Sequence, residues 1–140
     1  MKSLLTILAL ILLLNSALFS KNDMNPTEST IQSLMIGLES ENIGLKTGCA
    51  YMLGELKVTE AVIPLMKLLR NDEQEEVRIS AALALYKIGT PMSIYAVKQA
   101  SKYDDSKRVL KLASNFYNEY LRNNISHDEQ SKDTTNVALK

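Results

Sequence analysis

The strongest constraint on the fold of this chain is a pattern of residues that recurs along it at a constant spacing. Its clearest copy is Glu75–Gly89, where small and branched apolar residues follow an acidic start and end at a glycine. Leu45–Leu56 repeats this pattern 32 positions before Val77–Ile88, and Val109–Tyr120 repeats it 32 positions after. A period of this length predicts a solenoid of stacked helix pairs, in which neighbouring pairs bury each other's apolar faces.

Short motifs within and between these copies give the pattern a family resemblance. A helix with an early proline leads through an Asn-Asp turn to Val-Arg, paired alanines and a closing Ile-Gly. The residues that form this order are Ala61, Val62, Ile63, Pro64, Leu65, Asn71, Asp72, Val77, Arg78, Ala81, Ala82, Ala84, Leu85, Ile88 and Gly89. This order resembles the HEAT repeat family, in particular the short bacterial type known as lyase-like HEAT repeats. The resemblance covers about residues 27–122, and in the third copy Leu110 replaces the arginine and Asn118 the glycine.

The resemblance implies an all-α fold, a short right-handed α-solenoid of stacked antiparallel helix pairs with about six helices. Small residues at equivalent positions, such as Cys49, Ala81 and Ala113, allow helix backbones to approach closely. The chain holds two full pairs with a half pair on each side, and we expect the half pairs to act as caps. The last helix has the polar side that such a cap needs, formed by Asn115, Asn118, Glu119 and Arg122.

The first helix of the repeat domain is expected to begin at Pro26. Asn25 would be its N-cap and Glu28 its capping-box partner. The apolar residues that follow have the spacing of one buried helical stripe. They are Ile31, Leu34, Met35 and Leu38.

The first twenty residues have the layout of a secretory signal peptide. Lys2 precedes the apolar run Leu4–Leu14, and small residues follow before Lys21. Cleavage after Ser20 or Ala17 would leave a periplasmic or secreted protein with no stable membrane span. The alternative is an uncleaved anchor, but the apolar stretch is shorter than the roughly 20 residues that a bilayer span needs.

The chain therefore divides into four predicted segments. They are a signal peptide at residues 1–20, a linker at 21–25, a HEAT-like repeat domain at 26–122 and a disordered tail at 123–140. The tail is polar and lacks periodicity, which is typical of disorder.

Charge and cysteine content exclude several classes of function. Sixteen basic residues balance sixteen acidic ones, so the basic surface of a nucleic-acid-binding protein is absent. The single cysteine, Cys49, excludes an internal disulfide, and its small-residue position predicts an inert, buried thiol. The only histidine, His127, lies in the tail, so a Ser-His-Asp triad in an ordered core has no histidine to use.

The acidic run Asp72–Glu76 has two interpretations. It has the residue types of a cation site, but it also precedes a helix start, where negative charge is stabilising. We favour the structural role at the helix start, and the family resemblance implies that Arg78 pairs with turn acids across repeats. The sequence thus predicts no catalytic, cofactor-binding or metal-binding residue and a protein that is not an enzyme.

Candidate partner-binding residues lie on the second helix of each pair, which lines the concave side in the family that the chain resembles. Ile63 and Tyr95 occupy equivalent outward positions there, where a solenoid tolerates polar residues. The basic and polar residues Lys67, Arg70, Gln99 and Lys102 follow them one and two turns later. Exposed apolar residues of this kind mark partner surfaces.

A second candidate surface lies on the first helices. Ile79 and Leu83 form an i, i+4 pair opposite Val77 and Ala81, and Tyr51 aligns with Leu83. The structural interpretation is that these side chains cover imperfectly packed ridges of the helices.

The sequence favours an exported, non-catalytic module that binds or scaffolds another protein. Two alternatives stay open. One is a structural subunit that stacks on its own copies, and the other, by fold analogy, is a subunit associated with a lyase. The sequence does not identify the partner or the oligomeric state.

Overall fold

The computed structural model describes the backbone of residues 26–137 and the side chains of residues 26–124. This range contains six α-helices, one 3-10 turn and no strand, which confirms the all-α solenoid expected from the sequence. The predicted signal peptide and linker, residues 1–25, lie outside it. The helices are α1 (Glu28–Gly37), α2 (Ile43–Glu55), α3 (Val62–Asn71), α4 (Glu75–Ile88), α5 (Pro91–Tyr103) and α6 (Lys107–Val137), and the 3-10 turn is Thr59–Ala61.

The helices form two layers. In the first layer α2 contacts α4 and α4 contacts α6, while in the second layer α3 contacts α5. Consecutive helices also contact each other in the pairs α1 and α2, α3 and α4, α4 and α5, and α5 and α6, which joins the two layers. The core lies between the layers, and its largest fully buried apolar side chains are Leu53, Leu65, Val77, Leu85, Val97 and Val109.

The same type of turn precedes each first-layer helix. A side-chain oxygen of Ser40, Asp72 or Asp104 accepts the backbone N–H two residues later, at distances of 3.1, 3.0 and 2.9 Å. These three residues stand 32 positions apart, so the repeat in the sequence is also a repeat of local structure.

Ion pairs connect these turns in a ladder along the stack. Lys46 Nζ lies 2.8 Å from Asp72 Oδ2, and Arg78, its equivalent one repeat later, holds Asp104 through two bonds of 3.0 Å. Arg78 also donates to the carbonyl oxygens of Asp72 and Glu73, at 2.9 and 3.2 Å. The pairing of Arg78 across repeats and the structural role of Asp72 are therefore confirmed.

The start of α1 differs from the expected one. The helix begins at Glu28, and Thr27 is its N-cap, since the Thr27 hydroxyl accepts the N–H of Thr30 at 3.3 Å. The capping box that places Pro26 inside the helix is wrong, and Asn25 lies outside the described residues. The reason is a competing cap, because Thr27 bonds both the N–H and the hydroxyl of Thr30.

The C-terminal ends of α2 and α4 need a residue with positive φ. Gly89 ends α4 at φ 72°, and Lys57, 32 positions earlier, has φ 51°. The N–H of Lys57 bonds the Gly54 carbonyl at 3.1 Å and that of Val58 bonds the Leu53 carbonyl at 3.0 Å, which is the Schellman arrangement. A lysine therefore occupies a left-handed position that normally favours glycine.

Two glycines mark close approaches between helices. A Cβ on Gly37 would lie 2.2 Å from Cys49 Sγ, which brings the end of α1 close to α2. A Cβ on Gly54 would lie 2.6 Å from the Cα of Ala84, which brings α2 close to α4. At both positions an added Cβ would force a neighbouring atom to shift, a side-chain sulfur at Gly37 and the backbone at Gly54.

The same contact is made differently between α4 and α6. The equivalents of Gly54 and Ala84 are Tyr86 and Phe116, whose rings stack with centroids 5.8 Å apart. Because two rings occupy the space between them, α4 and α6 cannot approach as α2 and α4 do. The third copy of the repeat therefore packs differently from the second.

The last helix extends further than the sequence indicates. We expect disorder from residue 123, whereas α6 continues as a helix to Val137. Neither glycine nor proline occurs between Lys107 and Val137, so no residue that breaks helices stops it. The repeat core nevertheless ends earlier, since Arg122, Asn123 and Asn124 are exposed.

Candidate protein-binding surface

An open cleft of about 460 Å³ lies between the second-layer helices α3 and α5. We call it the α3–α5 cleft. It is lined by Met66, Leu69, Arg70, Tyr95, Ala96, Gln99, Ala100, Tyr103 and Asp104. The α5 residues among them have helical spacing and so share one face of that helix.

The cleft combines small residues with exposed aromatic rings. Ala96 and Ala100 leave space between the helices, and Tyr95 and Tyr103 are 60% and 74% exposed. Met66 is half-buried beside them and packs against the core. Large exposed aromatic side chains next to a depression suit an interface, because tyrosine supplies much contact area at low entropic cost.

The charged groups near the cleft are mostly cationic. Arg70 lines it, Lys67 lies one turn earlier on α3, and Lys102 precedes Tyr103 on α5. All three cations are exposed, and none of them takes part in an ion pair within the described part of the chain. The one carboxylate in the lining, that of Asp104, is bound by Arg78 and only 7% exposed.

The structure brings together three of the six second-helix residues expected at a partner surface. Arg70, Tyr95 and Gln99 line the cleft, whereas Ile63, Lys67 and Lys102 are exposed but outside its lining. Ile63 is 51% exposed in the first turn of α3. That these residues bind a partner stays a prediction.

Sequence reasoning missed Tyr103, the most exposed aromatic residue of the cleft. Its equivalent one repeat earlier is Asn71, so a search for positions that are apolar in both copies passes over it. Its spacing of eight residues from Tyr95 on one helix would have placed both on the same face.

The pair on the first helices is less available than expected. Ile79 and Leu83 are half-buried, and Ile79 packs against the core. The exposed apolar patch predicted there is therefore corrected to a partly covered one. We leave Ile79 and Leu83 out of the candidate surface.

Tyr51, on the same side, belongs to a polar network. Lys87 Nζ lies 2.8 Å from Glu55 Oε1 and 5.7 Å from the centre of the Tyr51 ring. Hydrogen bonds from Lys87 and then from Tyr51 lower the pKa of Glu55 below its ordinary value. This network is a solvated bridge between α2 and α4.

Few of the described residues have side chains suited to catalysis or metal binding. Cys49 is 6% exposed, and burial raises the pKa of its thiol, so the prediction of a buried cysteine is confirmed. No group of three or more metal-ligating side chains occurs among the described residues. His127 lies where no side chains are described. In the part of the chain that the structure covers, no helix has the length and apolar character to cross a membrane.

Comparison with known proteins identifies the repeat. A family model for HEAT repeats matches residues 31–115, more than half of the chain, while a search of the curated proteins gives no match. HEAT repeats commonly mediate protein interactions and are generally non-catalytic. The matched residues run from α1 into α6, through the whole stack of helix pairs. The chain belongs to the HEAT repeat family.

Proposed function

We propose that this HEAT repeat protein is an exported, non-catalytic module that binds a segment of another protein in the α3–α5 cleft. The observation that carries the proposal is the pair of exposed tyrosines, Tyr95 and Tyr103, at a cleft with alanines between the helices. Burying such rings against a partner supplies most of the affinity at typical interfaces.

The charges favour an acidic partner segment. Lys67, Arg70 and Lys102 are free of carboxylates, while the lining carboxylate of Asp104 is already neutralised by Arg78. A segment with an apolar anchor for the tyrosines and carboxylates for the cations complements this surface. Exposed pairs contribute only about 0.2–1 kcal/mol each, so we expect the charges to set specificity and association rate more than affinity.

Export rests on the sequence of residues 1–20, which has the layout of a signal peptide. N-terminal analysis of the protein recovered outside the cytoplasm tests it. We expect the first residue to be Ala17's successor, Leu18, or Ser20's successor, Lys21, and a retained Met1 contradicts processing.

Photo-crosslinking in the native cell tests the cleft. A photoreactive amino acid replaces Tyr95 in one protein and Tyr51 in the other, which is exposed on α2 and away from the cleft. We expect position 95 alone to yield a defined adduct, and mass spectrometry should place the adduct in an acidic segment of the partner. Equal adducts from both positions, or an adduct in a basic segment, contradict the proposal.

A double substitution gives the complementary test. Tyr95→Ser with Tyr103→Ser removes both rings, and Met92→Ser is the matched control, since Met92 is 52% exposed on the same helix but outside the lining. We expect the double variant to bind the crosslinked segment at least tenfold more weakly with unchanged helicity. Met92→Ser should bind as the parent does.

A further inference from the structure

An open pocket of about 350 Å³ lies in the first layer, at the C-terminal ends of α2 and α4 and beside α6. We call it the first-layer pocket. It forms because α6 does not stop where its equivalents stop. Leu56 and Ile88 mark the ends of α2 and α4, whereas their equivalent, Tyr120, lies within α6 and lines the pocket. The first-layer pocket shares no described lining residue with the α3–α5 cleft.

One wall of the first-layer pocket is aromatic. Tyr86 of α4 and Tyr120 of α6 line it, and both are half-buried. The ring of Tyr86 is held by stacking on Phe116, one turn before Tyr120, with the ring centroids 5.8 Å apart. The hydroxyl groups of the two tyrosines make no hydrogen bond with the described residues, so both are available to donate to a ligand.

The charged groups of the pocket leave one cation free. Among the described lining residues Glu55 has the only carboxylate, and Lys87 Nζ lies 2.8 Å from its Oε1. The side chain of Lys57 is exposed and forms no ion pair within the part of the chain that the structure describes. The two lysines and the one glutamate leave one net positive charge. Because the free groups, an ammonium and two hydroxyls, all can donate hydrogen bonds, the pocket favours an anion.

The backbone at Lys57 points independently to a role for its side chain. Lys57 is the only non-glycine residue with positive φ in the described chain, and its equivalent is Gly89, the residue that this helix-end conformation favours. The carbonyl groups of Leu53 and Gly54 are bound by backbone N–H groups, so the ammonium group is not needed to cap them. A lysine here lowers stability relative to glycine, and residues that break a local rule in this way concentrate at functional sites.

We propose that the first-layer pocket binds a small organic anion with a planar ring. Its anionic group pairs with the ammonium group of Lys57, and its ring packs against Tyr86 and Tyr120. The volume of the pocket is at the lower end for small-molecule sites, which suits a ligand of one or two rings. The pocket and the α3–α5 cleft lie in different layers, so this site is additional to the proposed function.

Indole-3-acetate is the probe, because it joins a planar ring to a single carboxylate. At the affinity per atom that is typical of ligands, its thirteen non-hydrogen atoms correspond to a Kd on the order of 1 mM. Indole-3-acetamide has the same shape without the charge, and we expect it to bind about fivefold more weakly, which is the upper end for an exposed ion pair. Inorganic phosphate has charge without a ring, and we expect no saturable binding from it.

Two-dimensional 1H–15N NMR of the labelled protein locates the probe. In a titration to about 20 mM, well above the expected Kd, we expect saturable shifts that are largest at the backbone amides of Lys57 and Tyr120. Tyr95 and Tyr103 report on the α3–α5 cleft in the same spectra, and their amides should shift less.

Lys57→Gly is the sharpest variant, because it should change stability and binding in opposite directions. It relieves the positive φ and removes the cation, so we expect it to unfold at higher urea concentration and to bind indole-3-acetate about fivefold more weakly. Weaker binding then cannot result from a loss of structure. Lys57→Arg keeps the charge and should bind as the parent does. Lys111→Ala is the matched control, since it removes an exposed cation of α6 outside the pocket, and it should also bind as the parent does.

Four results overturn the proposal. The first is the absence of a saturable shift at Lys57 over the whole titration. The second is equal binding of indole-3-acetate by the parent and Lys57→Gly, or of the acid and its amide by the parent, since the ammonium group then recognises nothing. The third is saturable binding of phosphate as tight as that of indole-3-acetate, which indicates a site for any anion. The fourth is a set of shifts that is largest at Tyr95 and Tyr103, which places the probe in the α3–α5 cleft.

Discussion

The contact between Gly37 and Cys49 allows a quantitative test of how α1 docks on α2. A Cβ at position 37 would lie 2.2 Å from Cys49 Sγ and 3.3 Å from its Cβ. Gly37→Ala therefore overfills the contact, which typically costs 1–3 kcal/mol. The better helix propensity of alanine offsets up to about 1 kcal/mol of this at the last residue of α1, so we expect a net loss of about 1.5 kcal/mol.

Removing the sulfur should relieve the clash. Cys49→Ala alone leaves a small cavity and should cost about 1 kcal/mol. In the double variant the closest remaining contact of the added Cβ is the Cβ of residue 49 at 3.3 Å, a distance that a shift of a few tenths of an ångström relaxes. We expect the double variant to lose no more than about 0.5 kcal/mol, which gives a coupling of about 2 kcal/mol between the two sites.

Urea unfolding followed by far-UV circular dichroism measures all four proteins of this cycle. Equal m-values in the four are needed for the comparison. Gly48→Ala is the control, because its Cβ meets nothing within 4 Å and the substitution should stabilise α2 by up to about 1 kcal/mol. Additive effects of Gly37→Ala and Cys49→Ala would refute the packing argument.

Three further predictions concern other described contacts. Lys57→Gly should raise the free energy of unfolding by about 1 kcal/mol, and Gly89→Lys should lower it by a similar amount, because both positions have positive φ. Urea unfolding measures both changes, and a loss of stability in Lys57→Gly contradicts the backbone argument. Arg78→Leu should cost about 3 kcal/mol, because it leaves the carboxylate of Asp104 buried without a counter-charge, and adding Asp104→Ser should recover part of this loss. No recovery in urea unfolding would mean that Arg78 acts through its backbone contacts alone. The thiol of Cys49 should react with a disulfide reagent only after unfolding, since it is buried and its pKa is raised; a fast reaction of the native protein, followed by absorbance, would show that α1 opens readily.

The layers of the stack were predictable because the same residue types return at the same spacing. Val77 and Val109 are buried at equivalent positions, and the glycine at which the pattern ends also ends α4. Small residues that permit close approach also follow the repeat, as Ala81 and Ala113 do at full burial. Such features follow from the repeat, because residues one period apart occupy equivalent positions in successive helix pairs.

What the sequence did not reveal depends on distances between particular side chains. Only the structure shows that Cys49 packs against Gly37. It also shows that the contact made by Gly54 between α2 and α4 is replaced, between α4 and α6, by the stacked ring of Tyr86. Repeat comparison also overstated the exposure of Ile79 and Leu83. Because α4 contacts four other helices, α2, α3, α5 and α6, little of its circumference is left free.

The candidate cleft was predicted in part for a related reason. Tyr95 is recognisable because its equivalent Ile63 is also apolar, but Tyr103 has no apolar equivalent. The free cations were also recognisable, whereas the neutralisation of Asp104 by Arg78 required the structure. The ion pairs within the chain determine which charged side chains remain available to a partner. Sequence spacing alone does not identify these ion pairs.

The ladder of ion pairs makes each repeat energetically dependent on its neighbour. Arg78 binds the turn before α4 through backbone carbonyls and the turn before α6 through Asp104, so loosening either turn costs the other a contact. In the one-dimensional description of repeat proteins, this is a nearest-neighbour coupling term that makes unfolding more cooperative. The equivalent residue in α6 is Leu110, so the coupling ends there. Native-state hydrogen exchange should therefore show α2, α4 and the first turns of α6 opening together, while the C-terminal end of α6, beyond the ladder, frays at a lower free energy.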